Sequence, residues 1–155
     1  MGEANNATVL GLSDLAGNVG KHLGYSDWHL IDQAQIERFA DATGDHQWIH
    51  VDAERAKAGP FGTTIAHGYL TLSLAPIFIF QVLQVEGARM VVNYGLNKVR
   101  FPSPVPSGSR VRFGAELSAV EPVKGGVQVM LTGTFEIEGS EKPACVAEIL
   151  FRYYE

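Results

Sequence analysis

Apolar and polar residues alternate along the C-terminal half of this chain of 155 residues. Apolar side chains occupy positions 111, 113, 115, 117 and 119, and again positions 127, 129, 131, 135 and 137. A period of two is typical of a β-strand with one buried face. Turn-forming residues at 124–126 and 139–143 separate these runs from each other and from a third run, Ala144 to Tyr154. The pattern predicts three long antiparallel strands.

Two further strands are predicted earlier in the chain. Arg89 to Phe101 leads into prolines at positions 102, 104 and 106. Because proline has no amide hydrogen to donate to a ladder, this strand is expected to end there. His22 to Ile31 is the candidate for the first strand of the same sheet.

One long segment, Ile65 to Leu83, contains no Asp, Glu, Lys or Arg. Its length would suit a transmembrane helix, but it contains Pro76 and lacks basic flanks, so a buried central helix is favoured. A helix that is apolar on all sides must be covered by other elements. We therefore expect an α+β architecture, a single domain over residues 1–155 in which the antiparallel sheet wraps around the central helix.

Two shorter helices are predicted between the first strand and the central helix. Asp32 can cap a helix with Gln35 as its reciprocal partner, and apolar positions 36, 39 and 40 continue that helix to Gly44. A second helix is expected to start at Asp52 and to stop at Gly59. Residues 45–51 would then form a tight connection between the two helices.

Composition and charge exclude several classes of function. Lys and Arg number 12 against 17 Asp and Glu, which gives a net charge of −5 and makes nucleic acid a poor partner. No basic residue precedes Lys21 and no apolar run has the form of a signal peptide, so a cytoplasmic protein is predicted. The single cysteine, Cys145, cannot form an internal disulfide and is expected to be a small core residue.

The connection between the two short helices concentrates acidic, imidazole and amide groups, including Asp45, Gln47 and His50. On a continuous helix, positions five apart diverge by about 140°, whereas in a turn Asp45 and His50 can converge. A carboxylate beside an imidazole can move protons at neutral pH, because imidazole titrates near 6.5. The alternative is a helix cap next to an ordinary surface histidine.

Other groupings of reactive side chains are weaker. His46 and His50 have a spacing that can hold a metal on a helix, but Gln47 replaces the glutamate of a zinc protease, so no metal is predicted. Asp41 could pair with Asp45, although a place on the solvated face of its helix is favoured. Ser73 lies in an apolar helix without a nucleophile elbow, which indicates a packing hydroxyl.

The motif Gly44-Asp45 followed by Ile49-His50 resembles the signature of the R-specific enoyl-CoA hydratases and MaoC-like dehydratases, Gly-Asp-any-Asn-Pro-hydrophobic-His. Ala66-His67-Gly68 and the segment from Asn93 to Pro102 resemble later parts of the same family. The likeness covers roughly residues 26–154. It implies a hot-dog fold, in which a long central helix is wrapped by the sheet and a short helical overhang carries the site.

The resemblance also implies a reaction, the reversible syn addition of water to a trans-2-enoyl thioester that gives an R-3-hydroxyacyl thioester. Asp45 and His50 would be the acid-base pair, and the backbone N–H of Gly68 would hold the enolate oxygen. The substrate would be a thioester of coenzyme A or acyl carrier protein, and no separate cofactor would be needed. A side-by-side homodimer is expected, since it would cover the edge of the sheet.

The chain departs from the family pattern where Gln47-Trp48 replaces Asn-Pro. Gln47 keeps the amide that could position water or substrate. Trp48, His67 and Arg100 are weaker candidates for substrate contact, with Arg100 suited to the phosphates of coenzyme A. A hot-dog thioesterase and a non-catalytic acyl-thioester-binding subunit remain alternatives to the hydratase.

Overall fold

A computed structural model describes residues 7–155, so part of the N-terminal stretch considered above for export, residues 1–6, lies outside the described residues. The described part contains strands β1 to β8, at Thr8–Gly11, His22–Tyr25, His29–Ile31, Leu83–Glu86, Met90–Arg100, Ser109–Val123, Gly126–Ile137 and Cys145–Tyr154. Helices α1 to α5 span Gln33–Thr43, Trp48–Val51, Ala53–Lys57, Gly68–Ser73 and Ala75–Val82.

The main sheet has six strands and is antiparallel throughout, with β2-β6-β7-β8-β5 as its order and β3 also paired with β6. The three long strands predicted from the alternating pattern are confirmed as β6, β7 and β8. The predicted strand before the proline cluster is confirmed as β5, and α5 packs against β6 and β2. The expected α+β class, with a sheet around central helices, is therefore correct.

The first strand is not continuous, so the prediction of one strand from His22 to Ile31 is wrong. β2 and β3 pair with successive parts of β6 and are separated by a bend at residues 26–28. At that bend the buried Ser26 donates its N–H to the Phe113 carbonyl and accepts the Phe113 N–H on its hydroxyl oxygen, at 2.8 and 2.9 Å. A side chain thus takes one backbone position in the ladder, which interrupts the strand.

A second, two-stranded sheet pairs β1 with β4 in parallel. The sequence pattern predicted neither strand. Each strand has only four residues, which is too short for an alternating pattern to be recognised.

The predicted central helix is broken in two. Residues 65–67 are not helical, α4 begins at Gly68, α5 begins at Ala75, and Leu83 already belongs to β4. Pro76 explains the break, because it has no amide hydrogen to donate to the carbonyl four residues earlier, at Leu72. None of the helices among residues 7–155 is long and apolar enough to cross a membrane.

The core joins the central helices to the long strands through three phenylalanines. The Phe78 ring on α5 lies 6.3 Å from the Phe113 ring and 6.1 Å from the Phe135 ring. Gly133 makes room for this cluster, because a Cβ there would overlap the Phe113 ring. Cys145 is fully buried, as predicted, and burial raises the pKa of its thiol to about 12.

The inward alternation on β6 does not extend to Ala119 as expected. A register shift between Leu117 and Ala119 interrupts the pairing of β6 with β7, and Val120 rather than Ala119 packs against the core. A bulge adds one residue to one strand and so moves the following side chains to the other face.

The caps predicted for the short helices are present. The Asp32 carboxylate accepts the Gln35 N–H at 2.8 Å, and Gly44 ends α1 with a left-handed φ of 82°. The reciprocal bond of the capping box is absent, since the Gln35 amide oxygen instead contacts His29 Nε2 at 2.9 Å. Between the two predicted helices the chain forms an additional helical turn, α2, which places His50 on a helix.

Candidate active site

Two distant segments of the chain, residues 45–50 and 65–67, are joined by three hydrogen bonds. The Ile65 N–H donates to the Ile49 carbonyl at 3.0 Å. The imidazole of His50 contacts the Ile65 carbonyl through Nδ1 at 2.7 Å, and that of His67 contacts the Asp45 carbonyl through Nε2 at 3.0 Å. Carbonyl oxygens only accept, so both ring nitrogens donate. These bonds bring Asp45, His50 and His67 together.

Asp45 is held with one carboxylate oxygen facing both imidazoles. Its Oδ1 accepts the backbone N–H of Gln47 at 3.3 Å, two residues on, as in an Asx turn. Its Oδ2 lies 4.0 Å from His50 Nε2 and 4.0 Å from His67 Nε2. The Asp45 side chain is 53% exposed, whereas those of His50 and His67 are 7% and 3% exposed. The carboxylate thus connects buried imidazoles to solvent.

The tautomer and charge of His50 follow from its surroundings. Because Nδ1 donates to Ile65, the neutral ring carries its lone pair on Nε2, the atom that faces Asp45. Burial lowers the pKa of His50 from its ordinary value of 6.5; the bond to Ile65 and the charge of Asp45 act in the opposite direction, and His67 lowers it further. At neutral pH His50 is therefore a neutral base.

His67 supports the other two residues rather than standing apart as a weak substrate contact. Its ring stacks on that of His50, with centroids 3.8 Å apart and planes 20° from parallel, and Phe39 lies 4.9 Å away on α1. Its position directly before Gly68 in the sequence was the only signal for this role. The contact with the Asp45 backbone could not be predicted from spacing, since the two residues are 22 positions apart.

A cavity of about 360 Å³ opens beside His50. Gly68 and Thr71, from α4, line it together with His50. Most of its other wall residues are apolar: Ile49, Phe61, Ile65, Ala66, Phe101, Pro104, Val105 and Ala144. The cavity therefore combines a mainly apolar lining with a few polar groups, as small-molecule sites do.

None of the four predicted substrate contacts, which are Gln47, Trp48, Arg100 and the His67 described above, lines this cavity. The Gln47 residue is exposed and its backbone N–H, not its side-chain amide, contacts Asp45. The Trp48 ring packs under the Arg55 guanidinium at 4.4 Å and beside Gly59. The exposed Arg100 bonds through Nη1 to the Val99 carbonyl at 2.7 Å. The resemblance marks positions along the chain, but the direction of a side chain depends on its neighbours.

The alternative groupings are separated in the structure. His46 contacts Asp41 at 2.8 Å, so neither the pair of His46 with His50 nor that of Asp41 with Asp45 forms. Ser73 is exposed and donates to the Tyr69 carbonyl, so the expected packing role for its hydroxyl is wrong. Its hydroxyl satisfies the carbonyl four residues earlier on the same helix.

The described residues contain one group of potential metal ligands, Asp45, His50 and His67, whose donor atoms lie within 4.8 Å of one another. His67 Nε2 carries the hydrogen that it donates to the Asp45 carbonyl, and is therefore not free to bind a metal. The two imidazoles are also stacked, whereas metal ligands converge on one point in their ring planes. This arrangement suits proton transfer better than metal binding.

Comparison with known proteins agrees with this geometry. The family described as "MaoC like domain" matches residues 14–139. A protein of Mycobacterium tuberculosis named 3-hydroxyacyl-thioester dehydratase Z is 57% identical over 147 residues, covering 94% of this chain and 97% of that protein. Nodulation protein N of Rhizobium leguminosarum bv. viciae is 46% identical, covering 89% of this chain and 88% of that protein.

The fold is also similar to a solved structure. R-hydratase PhaJ1 from Pseudomonas aeruginosa superposes with a TM-score of 0.73 and 26% identity, covering 88% of this chain and 82% of that one. The hot-dog fold expected from the sequence motifs is thereby confirmed.

The two histidines on either side of Gln47 should titrate in opposite directions. Burial lowers the pKa of His50 below 6.5, whereas the hydrogen bond to Asp41 raises the pKa of the exposed His46 above 6.5. As pH falls, His46 should therefore become protonated first. Ring resonances followed by NMR across the titration would check this order. Asp41→Asn should lower the pKa of His46 and leave that of His50 unchanged; the reverse order of titration would contradict the assigned contacts.

Proposed function

The chain belongs to the MaoC-like dehydratase family, and we propose that it catalyses the reversible, R-specific hydration of trans-2-enoyl thioesters to R-3-hydroxyacyl thioesters. As a member of that family it is a hydro-lyase. The names of its relatives, a 3-hydroxyacyl-thioester dehydratase and an R-hydratase, describe opposite directions of this type of reaction. The first of these names supports an acyl thioester as the substrate.

The 4.0 Å separation between Asp45 Oδ2 and His50 Nε2 is the observation that carries the proposal. It is too long for a direct hydrogen bond, which ends near 3.5 Å, yet one water oxygen can contact both atoms at about 2.8 Å. Such a water would be polarised by two bases, of which His50 lines the cavity. Water addition and water elimination both require this placement.

Asp45 and His50 together can carry out the proton transfers that hydration requires. In the proposed step, His50 Nε2 accepts a proton from the water as its oxygen bonds to C3 of the enoyl group. The Asp45 carboxylate stabilises the imidazolium that forms, and the proton is then delivered to C2. The product carries a hydroxyl on C3 and a new hydrogen on C2, so atoms and charge balance without a cofactor.

Gly68 is proposed to hold the thioester oxygen, on which negative charge develops as water adds. It lines the cavity with His50, and its N–H, the first of α4, has no acceptor within the helix. The Phe101 ring packs closely here, since a Cβ on Gly68 would lie 3.1 Å from it. A larger residue at position 68 would therefore displace the cavity wall as well as hinder the oxygen.

The apolar lining of the cavity favours an acyl chain as the occupant. The coenzyme A or acyl carrier protein portion would remain outside, because the cavity of about 360 Å³ is too small for it. We propose that the thioester itself is the only organic group the reaction needs, with no separate cofactor.

Hydration of crotonyl-, octenoyl- and dodecenoyl-CoA tests the proposed reaction directly. We expect loss of the enoyl absorbance and formation of the R enantiomer of the 3-hydroxy product, with R-3-hydroxyacyl-CoA giving the reverse change. Release of free thiol instead would identify a thioesterase. Binding without turnover of any of the three would favour a non-catalytic acyl-thioester-binding subunit and would refute the hydratase.

Asp45→Asn and His50→Gln each remove one proton-transfer group with little change in size. Because general acid-base catalysis contributes about 10²–10⁴-fold, each variant should lose at least about a hundredfold in kcat. Asp41→Asn is the matched control, since its carboxylate contacts His46 outside the cavity and should leave kcat unchanged. Circular dichroism would establish that all variants fold; near-normal kcat in either site variant would disprove the pair.

A second copy of this chain is proposed as the partner of the β5 edge. β5 lies at one end of the sheet order and is paired on its other side only with β8 among the described strands. β5 itself exposes four large hydrophobic side chains: Met90, Val92, Tyr94 and Leu96. An unpaired strand with exposed apolar side chains is normally covered.

The dimer can be tested by measuring the molecular mass in solution and by introducing one charged side chain on β5. Light scattering at micromolar concentration should give about twice the 16.8 kDa of a single chain. Val92→Lys should shift the protein toward monomer by placing an ammonium on the covered surface. Val19→Lys is the control, because Val19 is also exposed but lies outside the β5 surface. A monomeric wild-type protein would contradict the proposal.

A further inference from the structure

Thr71 on α4 presents a buried hydroxyl with no hydrogen-bond partner. The residue is 1% exposed, and among residues 7–155 only Thr71 Oγ1 and His67 Nδ1 are buried side-chain polar atoms without a partner. A buried polar group without a partner costs stability, so such groups are rare and call for an explanation. Thr71 also lines the cavity beside His50 and Gly68.

Neighbouring hydroxyls do not share this condition. Ser73, on the same helix, donates to the Tyr69 carbonyl four residues earlier. Thr64, which is also buried, donates to the Gln33 amide oxygen at 2.7 Å. Thr71 could likewise bond to the carbonyl four residues earlier, at His67, but it does not. Its hydroxyl is therefore available to a molecule in the cavity.

The location of Thr71 identifies the part of the substrate that it can reach. Helical side chains point back toward the N-terminus, so the Thr71 side chain covers the first turn of α4, which begins at Gly68. Gly68 is the proposed donor to the thioester oxygen, and His50 faces the carbons that react. A carbonyl oxygen bound by Gly68 thus lies on the Thr71 side of the cavity.

We propose that the Thr71 hydroxyl donates a hydrogen bond to the carbonyl oxygen of the bound acyl thioester, as a second donor beside the Gly68 N–H. The inference rests on the proposed function and adds a substrate-binding residue to it. As water adds at C3, negative charge moves to this oxygen, and a prepared donor stabilises it more in the transition state than in the bound substrate. Thr71 keeps its proton throughout.

Thr71→Val removes the hydroxyl at nearly constant volume, and Thr71→Ser keeps it. Because loss of one oxyanion donor costs about 10²–10³-fold in kcat, Thr71→Val should lose about a hundredfold with a small change in KM. Thr71→Ser should remain within about tenfold of the wild type, since it restores the same donor. Wild-type kcat in Thr71→Val would overturn the inference.

Thermal unfolding separates this role from a structural one. A buried hydroxyl without a partner does not stabilise the folded state, so Thr71→Val should keep or raise the Tm of the ligand-free protein. Thr64→Val, which removes a buried hydroxyl that has a partner, should lower the Tm. A Tm decrease in Thr71→Val equal to that of Thr64→Val would show that the hydroxyl has a protein partner, such as His67 Nδ1, and would overturn the inference.

Infrared spectroscopy of a bound, unreactive thioester tests the contact without turnover. Saturated butanoyl- and octanoyl-CoA, labelled with carbon-13 at the carbonyl, are the probes, because a hydrogen bond lowers the carbonyl stretching frequency. The bound frequency should be lower in the wild type and Thr71→Ser than in Thr71→Val. Equal frequencies in all three proteins would overturn the inference, even if hydration is established.

The bound carbonyl frequency could be lower in the wild type than in Thr71→Val although the wild type hydrates none of the enoyl-CoA substrates. This result would refute the proposed function and support the Thr71 contact. The two failures are therefore distinguishable.

Discussion

The candidate site depends on the attachment of residues 45–50 to residues 65–67 by three hydrogen bonds. Two of these bonds use imidazole nitrogens as donors, so the bonds that fix the backbone also fix which nitrogen of each ring remains free. For His50 the free nitrogen is Nε2, directed at Asp45, and for His67 it is the buried Nδ1. Weakening this attachment would therefore also change the chemistry of the site, because the hydrogen bond from Nδ1 to the Ile65 carbonyl fixes the tautomer of His50.

The surrounding fold gives His50 a buried, apolar environment and leaves the neighbouring carboxylate of Asp45 exposed to solvent. The apolar cavity and the stacked ring of His67 keep His50 buried and lower its pKa, while Asp45 stays half exposed to solvent. Burial favours the neutral form of the imidazole, whereas the carboxylate keeps contact with solvent. The buried imidazole of His50 and the exposed carboxylate of Asp45 therefore lie only 4.0 Å apart in opposite environments.

The break in the central helix contributes to the same arrangement. Because α4 begins at Gly68, the Ile65 carbonyl is free to accept the His50 imidazole N–H, whereas a helix starting at Ile65 would have used that carbonyl internally. Pro76 separates α4 from α5, and α5 packs its Phe78 on the long strands. The helix that anchors the core and the helix that lines the cavity are distinct elements with distinct partners.

Local periodicity and capping chemistry sufficed to predict the long strands, the bounds of α1 and the dense group around Asp45, because each depends on neighbours in the chain. A family motif identified Asp45, His50 and Gly68 as the candidate site residues. The sequence did not determine that His67 would bind the Asp45 carbonyl, that Trp48 and Arg100 would lie away from the cavity, or that Thr71 would be left without a partner. Those facts depend on contacts between residues far apart in the chain, and only the folded packing decides which polar atoms are satisfied and which remain free for a ligand.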